Sequence, residues 1–254
     1  MDVAVTLVDP EINASAASKA PKAGRAAAMR KQGYVIDLSG KKIPDTIGNK
    51  AQSLKTLLKN KCLVPVTYVC TWDAYMDSAS SEDTVLAQLR LELESVIKPG
   101  ASYAVRSSAN MEDSLDYSFA GQFETLLDVQ GVDNIVKAVR SIWSTTHSES
   151  ARSYFEKVNL DPSDIKMAVI IQEMVDPVIS GVVFSKNPIN ALDEVLVEAV
   201  RGSGTALVQG GVTPLRWINK WGGWIEKPES DDIPLGIIQE VVDRTKEIAS
   251  KVGK

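Results

Sequence analysis

Apolar residues recur along this chain in two rhythms. Over residues 47–61, Ala51, Leu54, Leu57 and Leu58 follow helical spacing, with Gly48-Asn49 as the entry. Over 81–97, Val85, Leu89, Leu93 and Val96 make one face, with Leu86 beside them. Ser81 followed by Glu82-Asp83-Thr84 marks that start, and Lys98-Pro99-Gly100 the stop. A further helix is predicted over 133–147, and residues 148–158 continue it or form the next one. Residues 233–252 carry an inward stripe of Ile237, Val241, Val242, Thr245 and Ile248. The second rhythm is the short apolar run. Residues 63–71 read as a strand interrupted by Pro65, and 103–105 as a strand leading into Arg106. From 167 to 174 the chain is apolar save for Gln172 and Glu173, the composition of a buried strand. Strands are also predicted over 181–185 and 194–200, with shorter candidates at 207–208 and 216–218. Trp221-Gly222-Gly223-Trp224 reads as a hairpin, with Gly-Gly between aromatic strand residues. Helices among antiparallel strands give an α+β class.

With 254 residues the chain can form one large or two smaller domains. A net charge of -5 disfavours a nucleic-acid binder that relies on a general basic field. No apolar run is long enough to span a bilayer, and residues 1–15 lack the basic lead and apolar centre of a secretory signal. Residues 1–33 read as a flexible leader rich in Ala, Ser and Lys; Asp2, Asp9 and Glu11 argue against a transit peptide. Cys62 and Cys70 do not suggest a disulfide framework, so a reducing cytoplasm is the default location. Two cysteines and the lone His147 cannot make a usual four-ligand zinc site, and no metal ligand is nominated.

The polar run after the strand at 103–105 is the most informative chemistry. Arg106, Ser107 and Ser108 enter a loop that continues through Ala109-Asn110 to Glu112-Asp113. A planar fork of donors with two hydroxyls suits phosphate or carboxylate, and the alternative is a surface loop whose arginine pairs with Glu112 or Asp113. Gly48-Asn49-Lys50-Ala51 is a second constellation, a glycine turn opening a helix with a lysine in its first turn. It lacks the Walker A pattern, and a solvated lysine is its alternative.

Residues 104–114, AVRSSANMEDS, followed by SFAGQFETLLDV at 118–129, closely resemble the nucleotide-binding domain of the phosphoenolpyruvate synthase and pyruvate phosphate dikinase family. That domain is related to the ATP-grasp fold and is used by rifampicin phosphotransferase and the glucan dikinases. The resemblance runs over residues 34–217. It implies two subdomains with the nucleotide cleft between them: the leader at 1–33, subdomain 1 at 34–166, and a second, truncated subdomain at 167–254.

The resemblance also implies residue roles. Lys50 stands where the family's Gly-Gly-Lys contacts nucleotide phosphates, with Asn49 in place of the second glycine. Arg106 matches the second phosphate-binding residue. Gly121, Gln122 and Thr125 fall in the Gly-Gln-x-Glu/Asp-Thr segment, whose alternative reading is a strand bulged at Gly121. Gln172-Glu173-Met174-Val175 resembles the hinge that lies against adenine, with the Glu173 carbonyl and the Val175 amide as acceptor and donor. Lys50 and Arg106 would catalyse by neutralising triphosphate charge. The stretch from Glu198-Ala199 departs from the family at Ser203 and Thr205, and a glycine-rich connector is as good a reading. His147 does not match the family's phosphohistidine context.

The family's Asp-x-Glu and Leu-Gln-x-Arg motifs, which hold Mg²⁺ and the terminal phosphates, do not occur here. The resemblance therefore implies a fragment or a divergent short relative, inactive alone. It would bind ATP and Mg²⁺ and work with a phosphohistidine domain, with pyruvate as a possible acceptor. The alternative is a non-catalytic nucleotide-sensing or interaction module that kept the fold.

Overall fold

A computed structural model describes residues 3–7, 33–111, 124–204 and 211–252. The elements run β1 (Val3–Leu7), β2 (Val35–Asp37), α1 (Gly48–Lys59), β3 (Thr67–Cys70), α2 (Trp72–Glu94), β4 (Ser102–Ala109), β5 (Thr125–Gln130), α3 (Val132–Thr145), α4 (Glu149–Lys157), β6 (Met167–Glu173), β7 (Ile179–Phe184), β8 (Val195–Arg201), β9 (Leu215–Lys220), β10 (Gly223–Glu226) and α5 (Leu235–Val252). They form two antiparallel sheets, so the α+β class holds.

The chain divides into two compact units, Pro21–Met174 and Val175–Lys254 with Met1–Ala20. The plan read from the sequence drew its line before residue 167. In the fold, β6 is hydrogen-bonded to β3 on one side and β4 on the other, so the unit closes after it.

In the first unit the strand order is β2-β3-β6-β4-β5. Side chains alternate across a strand, so each strand serves two faces. Tyr103, Val105 and Ala109 of β4 join Met167, Val169 and Ile171 of β6 in a core with Leu89, Leu93, Ile135, Val139, Ile142 and Trp143 of α2 and α3. On the opposite face Ala168, Ile170 and Val69 pack against Ile47, Ala51, Leu54 and Leu58 at α1. Full burial of each such aliphatic side chain stabilises by about 1.5–3 kcal/mol. The apolar run at β6 is continuous because both faces are covered.

Helix α1 ends in a left-handed turn at Lys61 (φ 59°), where the Lys61 amide donates to Leu58 O and the Cys62 amide to Leu57 O. Helix α2 starts at Trp72, well before residue 81. Ser81 leaves helical backbone (φ -159°, ψ 85°), and its hydroxyl pairs with that of Thr84 at 2.8 Å. The start signal at Ser81 thus marks a kink inside a longer helix. Helix α4 is separate from α3: the Ser148 side chain caps it by accepting from the Ala151 amide at 3.1 Å. His147 lies in the turn between them and is exposed.

The second unit orders its strands β1-β7-β8-β9-β10. Residues 3–7, expected in a flexible leader, instead pair antiparallel with β7, from Val3↔Val183 to Leu7↔Ile179. The alternating Val3-Ala4-Val5-Thr6-Leu7 suits an edge strand. Ile238, Val241 and Val242 of α5 pack with Ile179, Val183, Val195, Val197, Ala199 and Trp217. The hairpin between β9 and β10 turns at Trp221-Gly222 rather than Gly222-Gly223, because Gly223 already pairs with Lys220. Both turn residues have positive φ, 51° and 84°, the requirement of a type I′ turn. The strand candidate at 207–208 lies outside the described residues. Among the described residues no helix is long and apolar enough to cross a membrane.

Candidate functional site

Strand β4 runs through the segment expected to be a loop. Ser107 and Ser108 are fully buried and sit in the ladder opposite Val169 and Ala168. Their hydroxyls are tolerated in the interior because each has a partner. Ser108 Oγ donates to the Ile47 carbonyl at 2.9 Å and accepts from the Ala51 amide at 3.1 Å. Ser107 Oγ lies 3.5 Å from Lys50 Nζ.

Gly48 makes this contact possible. Its φ is +74°, and a Cβ there would collide with the Ser108 carbonyl and lie 2.6 Å from the Ser108 hydroxyl. The glycine is demanded by the close approach of helix to strand. Asn49, in place of the family's second glycine, lies inside α1, where backbone strain at a side chain does not arise.

Register gathers several nominated residues on one face. Arg106 and Ser108 share the face that α1 covers, since Ser108 bonds to α1 and the two are two residues apart. Thr125 is the cross-strand partner of Arg106, and Gln172 is that of Ala104. Arg106, Thr125 and Gln172 therefore lie on the α1 face, with the N-terminal turn of α1 bearing Lys50. Ser108 and Ala104 each lie ~7 Å along β4 from Arg106, at about 3.4 Å per residue.

Arg106 Nε is buried and has no hydrogen-bond partner among the described residues. An unmet buried donor costs about 1–3 kcal/mol, so an anion there would be bound with gain. Glu112 and Asp113, its alternative partners, lie outside the described residues, as do Gly121, Gln122 and Thr205. Thr125 is exposed. Gln172 Nε2 donates to Thr67 Oγ1 at 2.9 Å, which fixes its amide.

Glu173 points to the other face. Its carboxylate meets Lys98 Nζ at 2.8 and 3.2 Å, and this hydrogen bond raises the Lys98 pKa despite some burial. The Glu173 amide donates to Val66 O at 2.9 Å and the Met174 amide to Ser102 O at 2.8 Å. Met174 Sδ accepts the Asp128 amide at 3.1 Å, so Met174 is held against β5. Val175 opens the other compact unit. Glu198 lies in β8 opposite Arg216.

Sequence reasoning missed Ser108 as a structural partner of α1. The signal was present as a hydroxyl pair directly after Val105-Arg106, but it read as a loop. A cavity of about 690 Å³ lies elsewhere, lined by Leu38, Lys41, Lys42, Ile43, Lys55 and Lys59 among others. It shares α1 with the site but none of the nominated residues.

Residues 78–232, more than half of the chain, match the family described as pyruvate phosphate dikinase, AMP/ATP-binding domain. Arg106, Thr125, Gln172, Glu173 and Val175 fall inside that stretch, and Lys50 precedes it. The phosphoenolpyruvate synthase of Pyrococcus furiosus is 41% identical over 122 residues, 48% of this chain and 15% of that protein. A probable phosphoenolpyruvate synthase of Methanothermobacter thermautotrophicus is 40% identical over 121 residues, 47% of this chain and 18% of that protein. The prodigiosin synthesizing transferase PigC of Serratia marcescens is 35% identical over 205 residues, 70% of this chain and 23% of that protein. In each case the chain spans less than a quarter of the relative's length.

Proposed function

This chain belongs to the pyruvate phosphate dikinase AMP/ATP-binding domain family, and we propose that it binds ATP along the α1 face of the β2-β3-β6-β4-β5 sheet. The observation that carries this reading is Arg106, whose buried Nε has no partner among the described residues while the N-terminal turn of α1 sits on the same face.

Each nominated residue has a role in that reading. The Arg106 fork takes phosphate oxygens, and Lys50 adds a point charge at the N-terminus of α1, where helix amides favour anions. Together they lower the cost of charge that builds up as a phosphoryl group leaves. Thr125 lines the phosphates from the β5 side, and Gly121 and Gln122 are given the phosphate-contact role that the family resemblance implies. Gln172 lies towards the base end of the face, and the Glu173 carbonyl and Val175 amide read adenine. The Lys98 pair supports the last assignment, because it holds the Glu173 side chain away and leaves the backbone as the recognition element.

The wider reading is an ATP-grasp-like domain in a cytoplasmic phosphoenolpyruvate synthase-like phosphotransferase. ATP would be split and a phosphoryl group passed through a histidine on a separate domain to an acceptor such as pyruvate. Mg²⁺ binding requires carboxylates beside phosphate. Among the described residues no group of three His, Cys, Asp or Glu could hold a metal, so no step is assigned to one here.

Calorimetric titration with ATP, with and without Mg²⁺, tests the site in the chain and in Lys50→Ala and Arg106→Ala. Weakening of about tenfold or more, 1.4 kcal/mol, is expected for each substitution. Unchanged affinity in both folded variants overturns the reading. In a longer protein containing this chain, ATP turnover lost on Lys50→Ala separates phosphotransfer from a nucleotide-sensing role, which predicts binding without turnover.

A further inference from the structure

A helix that begins without a cap of its own needs a group from elsewhere. Ile47, the N-cap residue of α1, makes no side-chain cap bond. Ser108 supplies the missing hydroxyl from β4, donating to Ile47 O at 2.9 Å and accepting from Ala51 N at 3.1 Å. These two backbone groups are four residues apart, the pair that ordinarily bonds directly to open an α-helix. The hydroxyl therefore clasps both groups of the first turn. Fully buried, and pressed against a glycine with no room for Cβ, it leaves α1 no freedom to slide along β4.

The same contact sets the spacing of the two cations. Lys50 is the third residue of α1, and its Nζ lies 3.5 Å from the hydroxyl of Ser107, the neighbour of Ser108 whose side chain alternates to the opposite face of β4. Arg106 is on the face of Ser108, two residues or ~7 Å along the strand. We propose that Ser108 is a positioning residue of the nucleotide site: it fixes the N-terminal turn of α1, and with it Lys50, at one station relative to Arg106, so that both cations meet one polyphosphate chain. The inference rests on the reading of the site given above. Ser108 acts through Lys50 and does not touch the nucleotide.

A residue that only stabilises the fold lowers the melting temperature and leaves the affinity of the folded protein alone. A positioning residue changes affinity, and does so through the group it positions. The experiment is a double-substitution cycle of ATP affinity by calorimetry: the unaltered chain, Ser108→Ala, Lys50→Ala, the pair together, and Arg106→Ala. It is run well below each melting temperature, with folding checked by circular dichroism. Ser108→Cys, which keeps the volume and weakens the hydrogen bonds, stands in if the alanine variant does not fold.

The expected result is a loss of about tenfold for Ser108→Ala in the unaltered chain and less than about twofold once Lys50 is already alanine, the non-additivity of residues acting as one unit. Equal losses in both backgrounds, or full affinity in a folded Ser108→Ala, overturn the proposal. If Lys50→Ala and Arg106→Ala weaken ATP while Ser108→Ala does not, the positioning role alone fails. If none of the three weakens ATP, the nucleotide site itself has been misplaced.

Discussion

The two sheets each have five antiparallel strands, and two of their charges, Glu194 and Arg106, are held in opposite ways. In the Val175–Lys254 unit, the nearly buried Glu194 is closed on its neighbours: Lys220 Nζ reaches Oε1 at 3.0 Å and Asn187 Nδ2 reaches Oε2 at 3.1 Å. In the Pro21–Met174 unit, Arg106 enters the α1 face with its Nε unmet among the described residues. A charge enclosed by partners holds strands in place. One left without them in the interior carries a desolvation cost that a bound anion would offset. Architecture underlies the difference. Helices cover both faces of the first sheet, and α1 lays an apolar stripe on one of them with its N-terminal turn bonded to Ser108 of β4; α5 lies against the second sheet through an apolar stripe.

The largest expected effect tests whether the two sheets are energetically separate. Trp217→Ala removes a fully buried indole and should cost about 3–5 kcal/mol. Hydrogen exchange should accelerate in β7, β8 and β9 while β4 and β6 keep their protection; equal loss in both sheets means one cooperative unit. Next is Gly48→Ala. A positive φ and a colliding Cβ together should cost about 2–4 kcal/mol, read by urea denaturation, with lost protection confined to α1 and β4.

The third prediction concerns pH. The hydrogen bond from Lys220, and then that from Asn187, holds the Glu194 carboxyl below its ordinary value of 4.5. Its contribution is fully present above the unfolded value and is lost as pH falls through the lower folded value. Melting temperature should therefore drop on acidification below about pH 4.5 more steeply in the unaltered chain than in Glu194→Gln. Equal slopes would remove the enclosed charge from the comparison. The smallest effect is at the β9–β10 turn, where Trp221 is 88% exposed and holds a φ better suited to other residues. Trp221→Asn should stabilise by about 0.5 kcal/mol in thermal melting.

Much of the fold was legible because burial leaves a rhythm. The run at β6 announced a strand covered on both sides, and the stripes of α1 and α5 announced helices covered on one. What escaped was structure made by distant partners. Ser107 and Ser108 read as loop residues because hydroxyls lower strand preference locally, and only α1, some sixty residues earlier, converts them into interior anchors. Val3–Leu7 read as leader because an edge strand needs just one partner, and that partner is β7. Ser81 gave a correct local signal for a helix start, yet Trp72 and Ala74 had already begun the helix. Of the site, Arg106 and Lys50 could be nominated from residue type and resemblance. That Arg106 shares a face with Thr125 and Gln172 depends on register, which no single segment encodes.

The pairing of Val3–Leu7 with Ile179–Phe184 also has a consequence on the ribosome. Strand β1 must wait for a partner about 180 residues later, roughly 10–35 s at ordinary elongation rates. During that interval the whole of Pro21–Met174 emerges and can collapse into its own sheet. The opening strand meanwhile carries an unsatisfied edge that other nascent chains could capture. Synthesis thus favours completion of the sheet bearing Arg106 first, with the other closed only once Ile179–Phe184 can meet Val3–Leu7.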